Sequence, residues 1–129
     1  MITLEEVLFI HNEIVLSSGC PTKVRDMNSL ESAIARPFQT FDGIELYNTT
    51  FEKAAAIAES IIFNHPFVKG NKRTAFKAME LLLIRNNLLF QIHDDESFKR
   101  RNDFATHELS YAEIVIWIKE ISVPIINKV

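Results

Sequence analysis

Residues 65–77 read HPFVKGNKRTAFK, and they decide how the rest of the chain is interpreted. Four of these residues are cations and none is an acid: Lys69, Lys72, Arg73 and Lys77. Such a local excess is unexpected in a chain whose net charge is −3. Pro66 and Gly70 predict a turn here, between the end of one helix and the start of the next.

The start of the helix after Gly70 is a favourable place for an anion. The first N–H groups of a helix have no partner within the helix and carry partial positive charge. Cationic side chains at that end oppose the helix dipole by roughly a few tenths of a kcal/mol each, and they also repel one another. A bound phosphate would reverse both effects, and Gly70 lets the backbone approach it closely.

His65, at the opening of this loop, is a candidate general base. An imidazole has an ordinary pKa of about 6.5, so it can accept a proton from a hydroxyl that attacks a bound phosphate. The charge pattern alone also permits a plainer interpretation, a helix start whose lysines are simply solvated. Residue types and spacing leave both interpretations open.

Outside this segment, apolar residues recur at intervals of three and four, which predicts helices separated by glycine and proline. Capping residues followed three positions later by glutamate mark four helix starts: Thr3 with Glu6, Asn28 with Glu31, Thr49 with Glu52, and Ser110 with Glu113. Further helices are predicted after Gly70 and from Asp94 to His107. The sequence therefore predicts an all-α protein of about six helices.

The stretch between Pro37 and Asn48 breaks the helical pattern. Its apolar residues surround Gly43 without helical spacing, so we expect a short hairpin-like flap with an extended edge. Phe38 and Phe41 are predicted to lie in the core, where large apolar side chains are most often found.

Length and composition limit the class of protein. With 129 residues, 47% apolar and 24% charged, the chain suits a single domain spanning 1–129. The longest apolar run, 114–118, is far shorter than the ~20 residues of a membrane span, and the acidic N-terminus does not resemble a signal peptide. With one cysteine, Cys20, these features predict a cytoplasmic protein. The net charge gives no reason to expect nucleic acid or a membrane as partner.

The ten residues 65–74, HPFVKGNKRT, resemble the signature loop of the Fic/Doc family. They are most similar to its death-on-curing (Doc) toxin branch, whose loop ends in Asn-Lys-Arg-Thr. The resemblance continues through residues 30–33 (LESA), 36–37 (RP), the flap, and 51–55 (FEKAA), and it covers most of residues 28–87. It implies a compact all-α bundle with an ATP-using transferase site.

The resemblance also implies a role for each residue of the loop. His65 would be the base that activates a hydroxyl of a target protein, and Phe67 would anchor the loop in the core. Gly70 and Asn71 would contact the nucleotide through an anion nest. Lys72 and Arg73 would contact its phosphates through their charges.

Lys72 separates two activities within the family. Members that transfer AMP have glycine at this position. Doc-type members with this lysine act as kinases, which move the γ-phosphate of ATP to a threonine of elongation factor Tu. The resemblance therefore implies phosphate transfer to a protein hydroxyl, with AMP transfer as the alternative.

Lys69 departs from the family pattern. The family carries Asp, Asn or Glu here, which holds Mg²⁺ on the phosphates, whereas an ammonium group cannot ligate a metal. Three alternatives are open. In the first, the ammonium of Lys69 replaces the metal's charge on the bound nucleotide. In the second, an acid from elsewhere in the chain supplies the ligand: Asp42, Asp94 or Asp95. The third possibility is a nucleotide- or partner-binding module with weak catalysis, since losing the metal would remove several kcal/mol of transition-state stabilisation.

Partners follow from the same resemblance. Some Fic proteins carry an inhibitory helix with the pattern Ser/Thr-x-x-x-Glu-Gly/Asn, which neither end of this sequence matches. The Doc-like loop then implies a separate antitoxin, a segment of which would fold into a groove of the bundle. The target protein, a translation factor, would pair an extended segment with the flap edge. The sequence does not indicate an oligomeric state.

Other candidate residues have a simpler structural explanation. His11 lies on the apolar stripe of the first helix and is expected to be a core histidine with one hydrogen-bond partner. The run Lys99-Arg100-Arg101 is expected to be a solvated face. Arg36 is expected to be a surface partner for a nearby acid. His93 and His107 lack the spacing of a helical metal pair, so no zinc site is predicted.

Overall fold

The computed structural model describes residues 1–19, 22–91, 95–106 and 108–125. Within these ranges the chain forms six α-helices: α1 (Leu4–Leu16), α2 (Met27–Ala35), α3 (Thr50–Asn64), α4 (Asn71–Arg85), α5 (Asp95–Ala105) and α6 (Tyr111–Ile121). Four short strands form two antiparallel pairs: β1 (Thr40–Phe41) with β2 (Ile44–Glu45), and β3 (Leu88–Phe90) with β4 (Ser122–Pro124). The predicted helical bundle with a flap is confirmed. No helix in these ranges has the length and apolarity to cross a membrane.

Side-chain caps fix the starts of three helices where the sequence predicts them. At α1, Thr3 Oγ1 accepts from the backbone N of Glu6 at 3.2 Å, and the Glu6 carboxylate accepts from the backbone N of Thr3 at 3.0 Å. Ser110 and Glu113 repeat this reciprocal pair at α6, and Thr49 caps α3 through its hydroxyl. Each cap satisfies N–H groups that the helix cannot, which contributes about 1 kcal/mol.

The cap of α2 lies two residues before the predicted one. Asp26, rather than Asn28, accepts from Ser29, through the backbone N at 3.2 Å and through the hydroxyl at 2.8 Å. These bonds hold the pKa of the Asp26 carboxyl below its ordinary value. The predicted box of Asn28 and Glu31 is therefore wrong, because Asp26 already satisfies the first turn and leaves Asn28 inside the helix.

The central helix of the bundle is α3, which packs against α2, α4 and α6. Residues 54–58 (AAAIA) are all fully buried, so this part of α3 has no solvent face. A helix that is apolar on every side is stable only inside a protein, and its alanines let the neighbouring helices approach closely. The alanine run in the sequence predicts this close approach.

An aromatic cluster joins β3, α5 and α6 to α4. The indole of Trp117 on α6 meets the rings of Phe76, Phe90 and Phe104 edge to face, with centroids 6.4, 5.6 and 6.3 Å away. Such pairs contribute about 0.5–1.5 kcal/mol each beyond the area that they bury. The cluster thus fixes α5 and β3 beside the N-terminal half of α4.

The flap is a two-residue hairpin. Thr40 pairs with Glu45 and Phe41 with Ile44, and the turn between them has Asp42 at φ 51° and Gly43 at φ 76°. Two successive positive φ values are what an Asp-Gly hairpin turn requires. The predicted flap is confirmed, but the burial of Phe41 is wrong: its ring is 71% exposed, because the hairpin projects away from the core.

The pair of β3 and β4 is not predicted by the sequence pattern. Leu89 lies opposite Val123, and the backbone N of Ile125 donates to the carbonyl of Asn87 at 2.9 Å. Each strand has only three residues, too few for an alternating pattern to be distinguished from a helix end. The pair fastens the end of α6 to the end of α4.

Candidate functional site

The loop between α3 and α4 turns sharply at both ends. His65 has φ 52° and Gly70 has φ 83°, both in the left-handed region. A Cβ atom on Gly70 would lie 3.0 Å from Cγ1 of Val15 and 3.5 Å from the ring of His11. Both the backbone conformation and the closeness of α1 therefore require glycine at this position.

Asn71 closes the loop from within. Its side-chain Oδ1 accepts from the backbone N of Phe67 at 2.9 Å, and its Nδ2 donates to the carbonyl of the same residue at 2.8 Å. The side chain is buried, and both of its polar atoms are engaged. Asn71 can therefore contribute its backbone N–H to an anion nest, while its amide shapes the loop.

Phe67 fastens the loop to the core. Its ring is fully buried and stacks on the ring of His11, with centroids 3.6 Å apart and planes 8° from parallel. The Nε2 atom of His11 donates to the carbonyl of Lys69 at 2.7 Å. The expectation of a core histidine with one hydrogen-bond partner is confirmed, and that partner is the loop itself.

A second clamp comes from residues 23–26, which precede α2. The guanidinium of Arg25 donates to the carbonyls of His65 at 2.6 Å and Asn64 at 2.7 Å. The backbone N–H groups of Arg25 and Asp26 share the carbonyl of Pro66, at 2.7 and 3.1 Å. A cation at these carbonyls also complements the dipole at the end of α3. The role of Arg25 is not predicted from the sequence, since no local pattern links residues 40 positions apart.

His65 is held in a form suited to accept a proton. Its Nδ1 lies 3.1 Å from the carbonyl oxygen of Ile62. Because a carbonyl only accepts, Nδ1 is the donor in this bond, and the tautomer that fits it is the one whose lone pair is on Nε2. The side chain is exposed to solvent. An oriented imidazole on an exposed residue, with one ring nitrogen outside the bond to Ile62, is what general-base catalysis requires.

The cations of the loop and of the first turn of α4 lie on the surface. Lys69, Lys72 and Arg73 are all exposed, and none of them forms an ion pair with a carboxylate in the described part of the chain. Nζ of Lys72 donates to Oδ1 of Asn102 on α5 at 3.2 Å. Within the same turn, the backbone N–H groups of α4 begin at Asn71 with no side-chain cap. The site residues predicted from the sequence therefore lie together on one loop and one helix end.

The side chains present at the loop do not fit a magnesium ion. Lys69 has only N–H groups to offer, and Mg²⁺ takes oxygen ligands. No group of three or more potential metal ligands occurs among the described residues. Asp42 lies exposed at the tip of the flap; Asp94 and the side chain of Asp95 fall outside the described part of the structure. We therefore assign no step to a metal ion held by this chain.

The sequence that carries this loop matches known proteins. The model of the Fic/DOC family matches residues 1–83. The chain belongs to the Fic/DOC family. It is also 37% identical over 100 residues to Toxin Doc of Mycolicibacterium smegmatis (strain ATCC 700084 / mc(2)155), covering 74% of this chain and 75% of that protein. The family resemblance stated from the loop is confirmed.

In this Fic/DOC chain, Arg36 ties the flap to α3. Its Nε donates to the hydroxyl of Tyr47 at 2.8 Å, and its Nη1 donates to Glu59 at 2.8 Å and Ser60 at 2.9 Å. The guanidinium also lies 5.3 Å from the ring centre of Tyr47 and 5.6 Å from that of Tyr111, a cation–π geometry. Arg36 therefore holds the base of the flap as well as pairing with an acid.

Tyr111 completes this contact, and its ionisation gives a pH test of the fold. Its hydroxyl donates to the carbonyl of Glu52 at 2.9 Å, and burial, followed by the charge of Glu52, raises the pKa of Tyr111 to about 12. An unfolded tyrosine loses its proton near pH 10. The stability linked to this proton is thus complete below about pH 10 and is lost as pH rises toward about 12.

We expect Tyr111 to give a late phase near pH 12 in a near-ultraviolet absorbance titration. In the Tyr111→Phe variant the late phase should be missing, and the variant should lose less stability than the wild type between pH 10 and pH 12. Retention of the late phase in that variant would contradict the assignment.

The family member also has an apolar groove between α1 and α4. Its volume is about 680 Å³, and exposed side chains such as Phe9 and Ile84 line it. Arg73 and Lys77 lie along its α4 side. At the other end of α4, Arg85 pairs with Glu6 and so fixes the two helices to each other. The groove has an apolar lining of the kind that suits an amphipathic segment of another chain.

Proposed function

We propose that this chain is a Doc-like toxin that transfers the γ-phosphate of ATP to a hydroxyl of a target protein, such as elongation factor Tu. The observation that carries the proposal is the geometry of the 65–73 loop. Its imidazole has a fixed Nδ1 proton and a free Nε2, and it adjoins an uncapped helix start bearing Lys72 and Arg73. The likeness to Toxin Doc supports the same function.

In the proposed reaction, Nε2 of His65 takes the proton of the target hydroxyl. The hydroxyl oxygen then forms a bond to the γ-phosphorus, while the bond between that phosphorus and the β–γ bridging oxygen breaks and ADP leaves. The negative charge on the phosphates is met by the backbone N–H groups at the start of α4 and by Lys72 and Arg73. Arg25 and Asn71 keep these groups in place by holding the loop.

Lys72 favours γ-phosphate transfer over AMP transfer. AMP-transferring relatives have glycine there, and a lysine side chain at that point narrows the room around the phosphates. In this structure the side chain extends toward Asn102 on α5, beside the helix start where the nucleotide would bind. Transfer of AMP remains the second candidate, and a binding module with weak catalysis is the third, because Lys69 stands where the family has its metal-binding residue.

ATP labelled at either the α- or the γ-phosphate separates the three candidates. The protein is incubated with Mg²⁺, labelled ATP and either a bacterial lysate or purified elongation factor Tu. Label on a protein band from γ-labelled ATP alone supports the kinase, and label from α-labelled ATP supports AMP transfer. Nucleotide binding without either label identifies the binding module and overturns the proposal.

Replacing Lys69 with aspartate is expected to raise the rate of transfer at saturating Mg²⁺. The carboxylate would supply an oxygen ligand to the metal that accompanies ATP, and metal stabilisation of a transferring phosphate is worth several kcal/mol. Lys69 is exposed, so the change should leave the melting temperature unaffected. The measurement is the initial rate against Mg²⁺ concentration, with Lys69→Asn as a matched variant. A rate for Lys69→Asp no higher than the wild type at any Mg²⁺ concentration would show that Lys69 is no handicap.

We also propose that an antitoxin regulates this chain by occupying the α1–α4 groove. The support is the apolar lining of the groove, together with the relative's name, which describes a toxin. Arg73 lines the groove and also belongs to the first turn of α4. A segment bound in the groove would therefore lie next to the proposed nucleotide-binding residues.

A further inference from the structure

A smaller cavity lies where α5 approaches α4, and its walls are unusually basic. Its volume is about 270 Å³, and it is lined by apolar residues of three elements and by four charged residues: Ile14, Phe76, Phe90, Arg73, Lys77, Glu80 and Arg101. Since a water molecule takes up about 30 Å³ in the liquid, the cavity has room for a small anion together with several waters.

Arg101 contributes a partly engaged guanidinium to the wall of this cavity. Its guanidinium lies 4.6 Å from the ring centre of Phe76, and its Nε is buried with no hydrogen-bond acceptor in the described part of the chain. The basic run in α5 predicts that Arg101 lies on a solvated face. In the structure Arg101 is instead half-buried, because its guanidinium packs on the ring of Phe76 on α4. Because Nε is closed off from the cavity as well as from solvent, an anion in the cavity meets Arg101 only through the Nη end of its guanidinium.

The charges around the cavity are also unbalanced. Lys77 pairs with Glu80 at 3.3 Å. Arg73 and Arg101 form no ion pair among the described residues. Three cations against one carboxylate leave an excess of two positive charges on the wall. Two guanidinium groups that line the same cavity suit a phosphate, because its oxygens accept two parallel hydrogen bonds from the N–H groups of an arginine.

We propose that this cavity binds a phosphate group between Arg73 and Arg101, and that its source is the terminal phosphate of ATP. The second part rests on the proposed function, because Arg73 is shared between the cavity and the nucleotide-binding turn of α4. Arg101 then extends the site from α4 onto α5. The phosphate accepts from the Nη groups of Arg101 and from the guanidinium of Arg73, and it neutralises both arginines.

The test compares Arg101→Met with Arg100→Met. Methionine keeps an unbranched chain against Phe76 but has no N–H group and no charge. Arg100 has the same charge on the same helix, and it does not line the cavity. Binding of ATP, ADP, AMP and inorganic phosphate to the full chain is measured by calorimetry, and the melting temperature is measured with and without each ligand.

We expect Arg101→Met to weaken ATP binding at least about tenfold, which corresponds to about 1.4 kcal/mol, and to leave AMP binding unchanged. Arg100→Met should bind all four ligands as the wild type does. The free Arg101→Met protein should melt at the same temperature as the wild type or higher, because no hydrogen bond of Nε is lost. Inorganic phosphate should raise the melting temperature of the wild type and not that of Arg101→Met.

Other results would overturn the proposal. Equal ATP affinity in Arg101→Met and the wild type removes Arg101 from the nucleotide site, and equal loss of ATP, ADP and AMP with a lower melting temperature shows a structural role. Phosphate binding that depends on Arg101, with ATP binding that does not, overturns ATP as the source. A wild type that binds phosphate at Arg101 and binds no nucleotide supports the anion site and refutes the proposed transferase, so the two failures are distinguishable.

Discussion

The His65→Ala variant is expected to transfer phosphate about 10²- to 10⁴-fold more slowly than the wild type, the range that positioned acid–base groups supply. The reason is the loss of Nε2, the one nitrogen of His65 that the Ile62 carbonyl leaves free. Initial rates with γ-labelled ATP measure the effect. Binding of ATP should stay within about twofold, since the proposed phosphate contacts come from α4 and its cations.

A second variant protects this experiment against a folding artefact. His65 has φ 52°, and alanine is strained in that region, whereas asparagine adopts it readily. His65→Asn should therefore keep the melting temperature of the wild type, and it still has no base. Transfer at the wild-type rate in both variants would remove His65 from the mechanism and leave the loop as a binding site.

The Phe67→Ala variant is expected to lose about 3–5 kcal/mol of unfolding free energy, the usual cost of truncating a fully buried phenylalanine. The change removes the ring that stacks on His11 and leaves a cavity between α1 and the loop. Urea unfolding followed by circular dichroism gives the free energy. Activity should fall as well. Without the ring the loop is less firmly anchored, and the backbone carbonyl and N–H of this residue then hold Asn71 less well.

Phe41→Ala is the matched control for this prediction. It deletes the same side chain from a position that is 71% exposed on the flap, so the unfolding free energy should change by no more than about 0.5 kcal/mol. If the two variants unfold at the same urea concentration, Phe67 does not anchor the loop in the way described.

The parts of this fold that sequence alone predicts are those set by neighbours along the chain. Thr3 with Glu6 and Ser110 with Glu113 mark helix starts because each cap and its partner are three residues apart. The Asp42-Gly43 turn is likewise a local matter, as both positive φ values fall on adjacent residues. Helix number and the flap therefore follow from short-range physics.

The missed features depend on contacts between distant segments. Arg25 reaches carbonyls 39 and 40 positions away, and the pairing of Leu89 with Val123 spans most of the last third of the chain. The burial of the Nε atom of Arg101 depends on α5 packing against Phe76. The error at Phe41 has the opposite origin: an apolar residue is placed in solvent by a hairpin too short to fold back on the core.

Within the candidate site, the loop residues are predictable from their spacing, but the tasks of their side chains are not. Asn71 is such a case, since its amide is consumed in closing the loop and only its backbone N–H remains for a ligand. The tautomer of His65 is another, because it depends on a carbonyl in the last turn of α3.

The clamps on the loop have a consequence for how natural variants of this chain should be judged. A variant could keep every residue from His65 to Lys77 and still be inactive if Arg25 or His11 were replaced, because each of them holds the loop. Those two positions are far from the signature in the sequence, although they contact it in space. A genome search that uses the signature alone would therefore count such copies as active. Substitutions that inactivate the protein can therefore arise outside the signature loop.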